Sequence, residues 1–403
     1  MKNLKFTFLF IILTGTLFTQ IAYANISISK EKFGKVPDQK TLKAIEIYRY
    51  TISSDNITLK VTNLGATVQS IIVPDRNKNQ TDVVLGYDNA EGYFNDINSV
   101  KTFFGSIPAR FANRITNGAF QLNDKKYQLN LVINDQDNVL HPGPLVGLVW
   151  DHKIIRKKNK TGVEFSVTTP NTYWGFPGKL EVKIQYLLDN YGNMYIEYRA
   201  MSDKDTVINL TNHTYFNLNG QGNEQVTNHI LKLYADNFTP CNSKEVPTGK
   251  IAPVNTSLNT AFDFRNWKKV GKDINDNKNP QIKYAWGYDI NFILNNTFTQ
   301  PKNSLPELKN NLKPAAKIYS PVTGIQMNLF TTQPGVQFYT GNHLPKTPPI
   351  IGKNGEKYSY RSGFAMETQH YPNSPNIPSF PTTTLKKGEL FHQESVYNFT
   401  INK

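Results

Sequence analysis

The chain is 403 residues long, 38% hydrophobic, 12% aromatic and 19% charged, which supports a sizeable core and excludes a disordered chain. Lys and Arg total 45 against 31 Asp and Glu, for a formal charge of +14. Only 8 of those basic residues are Arg and no dense basic run occurs; a nucleic-acid reader would favour Arg, so the excess reads as a basic soluble surface. Cys241 is the only cysteine, so an intramolecular disulfide and a Cys-rich metal site are excluded, and a small buried side chain is expected there.

In chain order, Lys2 and Lys5 precede an apolar run from Phe6 to Phe18, and Ala22-Tyr23-Ala24 stands before Asn25. These are the three parts of a secretory leader, and the run is too short to span a bilayer as a helix. The reading is a leader over 1–24, cleaved before Asn25, followed by one domain over 25–403 in an exported protein, periplasmic or secreted from a bacterium. No membrane span is expected after cleavage.

The remainder reads as strand and turn. Ile57 to Val61 alternates; Phe120-Gln121-Leu122 and Tyr127-Gln128-Leu129 flank Asn123-Asp124, a hairpin signal. Leu180 to Leu188 alternates, turns at Asp189-Asn190-Tyr191-Gly192 and returns through Met194, Ile196 and Tyr198. Gln333-Pro334-Gly335 leads into a strand from Val336 to Thr340, and the best helical stretch, Gly92 to Phe104, is short. The 45 Tyr and Phe residues suit pleated, half-buried surfaces. The fold class is therefore all-β, a large antiparallel β-sandwich.

No phosphate loop, dinucleotide fingerprint or His-Glu-x-x-His motif occurs, and the seven His are scattered singly, so neither a cofactor nor a dedicated metal site is expected. What remains is a set of polar clusters beside strands. Ile107-Pro108-Ala109-Arg110-Phe111-Ala112-Asn113-Arg114-Ile115 places two Arg four apart, which alone reads as surface. Val139-Leu140-His141-Pro142-Gly143 sets a His at a strand end. Asn209 to Leu218 (NLTNHTYFNL) packs Thr211, Asn212 and His213 consecutively, which simple alternation would not do. Trp286-Gly287-Tyr288-Asp289-Ile290 carries an Asp among aromatics, and Met366-Glu367-Thr368-Gln369-His370-Tyr371 carries a Glu at an apolar strand end. Pro372, Pro375, Pro378 and Pro381 follow at three-residue spacing and suggest an extended polyproline-type wall.

Together and in this order, the stretches NLTNHTYFNL, WGYDINF, QPGVQFYTGN and ETQHYPNSPN, with FANRI, VLHPG and FDFR, resemble the aldose 1-epimerases (galactose mutarotases). The resemblance runs from about Ile57 to the C-terminus. In one departure, Pro142 replaces the first of two glycines that usually follow the His. The resemblance implies a β-supersandwich of the galactose mutarotase type, an isomerase that interconverts anomers of free aldohexoses such as D-glucose and D-galactose, and no cofactor. Position by position it implies that His213 is the general acid and Glu367 the general base, and that Asn113, Arg114, His141, Asp289 and Gln337 hold the sugar hydroxyls. A glycoside hydrolase using Asp289 and Glu367, a sugar-phosphate epimerase and a non-catalytic sugar-binding protein are the rival readings. Oligomeric state and preferred sugar stay open.

Overall fold

The structure, a computed structural model, describes residues 26–38, 42–130, 138–223, 225–296 and 311–402; the expected leader lies outside them. Three antiparallel sheets dominate. A five-stranded sheet runs Ser27–Pro37, Ala44–Ser54, Ile57–Thr62, Thr67–Pro74 and Gln80–Asp82, in sequence order. A nine-stranded sheet contains Leu180–Asp189 and Asn193–Ser202 at its middle and takes Phe391–Ile401 between Asn193–Ser202 and Ile325–Thr331. A six-stranded sheet has the order Tyr215–Phe216, Phe364–Gln369, Gly335–Tyr339, Asp289–Leu294, Ala235–Phe238 and Ala252–Pro253.

Period-2 patterning explains how the sheets meet. Val182, Ile184, Tyr186, Ile196 and Tyr198 of the nine-stranded sheet, Ile52, Leu59, Val61 and Ile71 of the five-stranded sheet, and Ile290, Phe292, Val336, Phe338, Phe364 and Met366 of the six-stranded sheet belong to one buried apolar cluster. Alternate residues of each strand thus face a common core, as stacked sheets require, and the expected all-β sandwich is observed. The hairpin at Asp189 closes as read: Asp189 Oδ1 accepts from the amides of Tyr191 and Asn193 at 2.8 and 2.9 Å, and Gly192 takes φ +77°.

Several local expectations need correction. The hairpin pairs Ala119–Leu122 with Lys125–Gln128, with Asn123 and Asp124 both at positive φ, so its second strand begins two residues earlier than read. The helix spans Ala90–Ile97, capped by Asn89 Oδ1 on the Gly92 amide at 2.9 Å, rather than Gly92 to Phe104. The following residues leave helical geometry, with Lys101 and Phe103 at φ +58° and +60°. A second short helix, Pro280–Ala285, was not legible. The proline-rich stretch contains turns and a 3₁₀ segment, Ser374–Asn376, instead of an extended wall, because Asn373 adopts φ +60° and reverses the chain. Cys241 is half-buried rather than buried. Among the described residues no helix is long and apolar enough to cross a membrane.

Candidate active site

The face of the six-stranded sheet opposite the core forms the floor of a cleft of about 600 Å³. Register fixes this. Gln337 pairs directly with Glu367 on one side and with Asn291 on the other, and Asp289 lies two residues before Asn291. Side chains two apart share a face, so Glu367, Gln337 and Asp289 are set side by side across three adjacent strands. Their neighbours Met366, Phe338 and Ile290 point into the core. Gln337 Nε2 donates to Asp289 Oδ1 at 2.5 Å.

His213 comes from the segment before Tyr215–Phe216, where no strand ladder is available. Its amide donates to Ser106 O at 2.9 Å and its carbonyl accepts from Gly105 N at 3.0 Å. Asn212 Nδ2 donates to Gly105 O at 2.6 Å, while Asn212 Oδ1 accepts from both Thr214 N and Thr214 Oγ1. The polar run therefore supplies backbone groups with the partners a sheet would otherwise give. Gly105 is required here, since a Cβ on it would sit 1.9 Å from Val68 O at φ +69°. The result is a His213 imidazole stacked on Tyr215 at 5.0 Å and facing His141 edge-on at 5.4 Å.

Two loops complete the cleft. Asn113 and His141 both adopt positive φ, and the Asn113 amide donates to His141 Nδ1 at 3.2 Å, which leaves the ring proton on Nε2. Arg114 pairs with Glu245, whose other oxygen lies 3.7 Å from His343 Nε2. The surface reading of the two Arg is overturned. Arg110 is fully buried, spread over Thr169, Pro177, Gly178 and Thr206 and stacked on Phe176, and its pKa is pushed down to about 9 by burial. Only Arg114 reaches the cleft.

His213 Nε2 stands 3.7 Å from Glu367 Oε1, with both side chains buried. Burial, weakly opposed by a backbone hydrogen bond, holds the His213 imidazolium down to about 4. Burial raises Glu367 well above the usual carboxylate range; nearby Asp289 adds to the rise and Arg114 opposes it. Both shifts act toward the neutral forms of the pair. Asp289 is raised by burial and by Glu245, against Arg114 and Gln337. Burial also acts upward on Glu245, but hydrogen bonding to His343 and the charge of Arg114 outweigh it and lower its pKa. His213, Glu367 and Asp289 line the cleft beside the Arg114–Glu245 pair, a polar wall suited to a polyhydroxylated ligand.

Six of the seven residues singled out from the sequence line this cleft, and Gln337 joins them through its hydrogen bond to Asp289. Sequence reasoning missed Glu245, His343, Phe103, Tyr215 and Tyr339. Glu245 lies in Ser-Lys-Glu-Val-Pro, where a carboxylate reads as surface charge; only its φ of +56° and the return of the chain at Val246 turn it inward. Two triads, His141–His213–Glu367 and Glu245–Asp289–His343, each bring three ligand-type atoms within 4.8 Å. In the second, Arg114 already neutralises Glu245 and Gln337 occupies Asp289.

The aldose 1-epimerase family profile matches residues 48–398. The galactose mutarotase of Bos taurus is 36% identical over 378 residues, covering 93% of this chain and 99% of its own length. The aldose 1-epimerase of Haemophilus influenzae is 33% identical over 355 residues, covering 87% and 94%. The crystal structure of galactose 1-epimerase from Lactobacillus acidophilus aligns with a TM-score of 0.76 at 26% identity, covering 94% of this chain and 100% of that one. With the site geometry and these matches extending over most of the sequence, the chain belongs to the aldose 1-epimerase family.

Proposed function

We propose that the protein interconverts the α and β anomers of free aldohexoses such as D-glucose and D-galactose, with Glu367 as the base for the C1 hydroxyl and His213 as the acid for the ring oxygen. The observation that carries this is the buried His213–Glu367 pair, 3.7 Å apart, with both residues lining the cleft.

Bound sugar changes the electrostatics of the pair. The C1 hydroxyl donates to the Glu367 carboxylate and the ring oxygen accepts from the His213 imidazolium, and both contacts favour the charged forms. Arg114 pulls Glu367 the same way. Opening then moves the C1 hydroxyl proton to Glu367 and the His213 proton to the ring oxygen, while the C1–O bond of the ring breaks and the aldehyde forms. The pair is left neutral, the state that burial favours, so the cleft stabilises the open-chain complex. After rotation about C1–C2 the same transfers run backwards onto the other face. Asn113, Arg114, His141, Asp289 and Gln337 pin the remaining hydroxyls while C1 turns.

A glycoside hydrolase would need two carboxylates flanking the bond; here the group beside Glu367 is an imidazole, and Asp289 is engaged by Gln337. Polarimetry of freshly dissolved α-D-glucose and α-D-galactose tests the reading. Glu367→Gln and His213→Asn should each lower kcat by about 10²–10⁴ with sugar affinity within about tenfold. The double variant should be far from additive. Near wild-type turnover in Glu367→Gln would refute the assignment. Export is proposed as well, supported by Lys2, Lys5, the apolar run and Ala22-Tyr23-Ala24.

A further inference from the structure

Glu245 stands between two basic side chains that reach the cleft from different loops. Arg114 Nη2 donates to its Oε2, and His343 Nε2 lies 3.7 Å from its Oε1. Both carboxylate oxygens are therefore engaged. The Glu245 and Arg114 side chains are 12% and 9% exposed, whereas that of His343 is 45% exposed and open to protons from solvent. All three line the cleft beside Asp289.

The main chains of Glu245 and His343 are tied down. Glu245 sits at φ +56° in a turn where its amide donates to Asn242 O at 2.9 Å and Asn242 Oδ1 accepts from Val246 N at 3.2 Å. Gln281, in the helix Pro280–Ala285, clamps the start of that turn: its Oε1 accepts from Cys241 N at 2.7 Å and its Nε2 donates to Cys241 O at 2.8 Å. The His343 amide donates to Tyr339 Oη at 2.8 Å, while its ring stacks on Tyr339 at 5.9 Å and meets Trp286 at 5.4 Å. A change of charge on His343 is thus answered by side chains rather than by the backbone.

The two protonation states of His343 place Glu245 differently. As an imidazolium, His343 shares the carboxylate with Arg114, and each oxygen keeps one cation. As a neutral ring it no longer holds Oε1. The carboxylate then turns both oxygens to the guanidinium, whose planar fork matches a carboxylate bidentately. Arg114 N–H groups that would serve a sugar hydroxyl are then spent on Glu245. The charged groups that face His343 are Glu245 from the turn, Asp289 from the strand paired with Tyr339, and Arg114. Lys346, three residues on, lies over the Tyr360 ring at 4.9 Å. Glu245 raises the His343 pKa most, burial opposes it, and Asp289 adds to the rise against Arg114, so the imidazolium persists above the ordinary 6.5.

We propose that Glu245 is a positioning residue for Arg114 and that His343 controls it, so that the protein binds sugar more tightly when His343 is protonated than when it is neutral. This rests on the anomer-interconversion reading above. The extra affinity is present below the His343 pKa and lost as pH rises through it. The test is calorimetric titration of D-galactose from about pH 5.5 to about pH 9.5 in Glu367→Gln, which removes the Glu367 titration and keeps turnover out of the binding constant. Kd should rise by about 3–10-fold across that range, the worth of about one hydrogen bond, with its midpoint above 6.5. Adding His343→Gln should leave Kd flat with pH at the weaker level. Adding Glu245→Gln should also leave it flat, because the carboxylate that His343 places is gone. A Kd that does not vary with pH in Glu367→Gln, or a rise that persists after His343→Gln or after Glu245→Gln, overturns the proposal. Polarimetry of the wild-type protein decides the anomerisation reading separately, and no acceleration there overturns both.

Discussion

Acidification probes the proposed proton-transfer pair directly. His213 is buried at the cleft wall, and burial holds its pKa at about 4 against an ordinary 6.5; the difference corresponds to about 3 kcal/mol of lost hydration for the imidazolium. In the proposed mechanism the competent free enzyme carries one proton on the pair, placed on Glu367, whose pKa is raised by burial and by Asp289 and lowered in part by Arg114. A second proton, on His213, removes the remaining acceptor and stops the reaction. At pH 5 an imidazole of ordinary pKa would be about 97% protonated, leaving about 3% of the maximal kcat/KM, whereas one at about 4 leaves about 90%. His141, the nearest imidazole, is itself held far below 6.5 by burial, with His213 and Arg114 adding to the effect, so it brings no positive charge into the cleft at pH 5. Toward high pH, the pair loses its one proton on passing the raised pKa of Glu367, and the rate falls. The assay is initial-rate polarimetry at sugar concentrations well below KM, corrected for the buffer-catalysed rate at each pH. An acid limb centred near 6.5, with kcat/KM at pH 5 below a tenth of its maximum, would refute the argument that burial governs His213.

Three other outcomes are expected. Arg114→Ala should destabilise the fold in urea unfolding by about 3 kcal/mol, because the Glu245 carboxylate loses its cation in a largely buried place; Arg114→Ala/Glu245→Gln should recover part of this, and no recovery would mean that the pair is not what the mutation breaks. Activity should survive exhaustive chelation, since the proposed proton transfers use only His213 and Glu367; loss restored by a single added divalent ion would instead make His141, His213 and Glu367 its ligands. Intact-mass measurement of the exported protein should place Asn25 at the N-terminus, and a chain that still begins at Met1 would overturn the leader.

The all-β class and the hairpin at Asp189 were legible because each rests on local pattern, whereas the seven candidate site residues were singled out through the family resemblance of the short segments that carry them. Alternation exposes a strand with one buried face, and short segments such as NLTNHTYFNL and ETQHYPNSPN keep their functional side chains at fixed offsets. The same local reading could not separate Arg110 from Arg114, four residues apart in one segment. The first is consumed by carbonyls and hydroxyls around Thr169, Gly178 and Thr206, and the second by a carboxylate 131 positions away. Nor could it reveal that Phe364–Gln369, buried on both faces, directs Met366 to the core and Glu367 to the cleft, since a strand covered on both sides carries no hydrophobic alternation. Glu245, His343 and Trp286 entered the site only through positive-φ turns and the packing of distant loops. The pKa values of His213 and Glu367 belong to the tertiary structure as well. The sequence determined which ionisable groups are present, but their proton affinities depend on how much water the surrounding sheet and loops remove, a property of no segment taken alone.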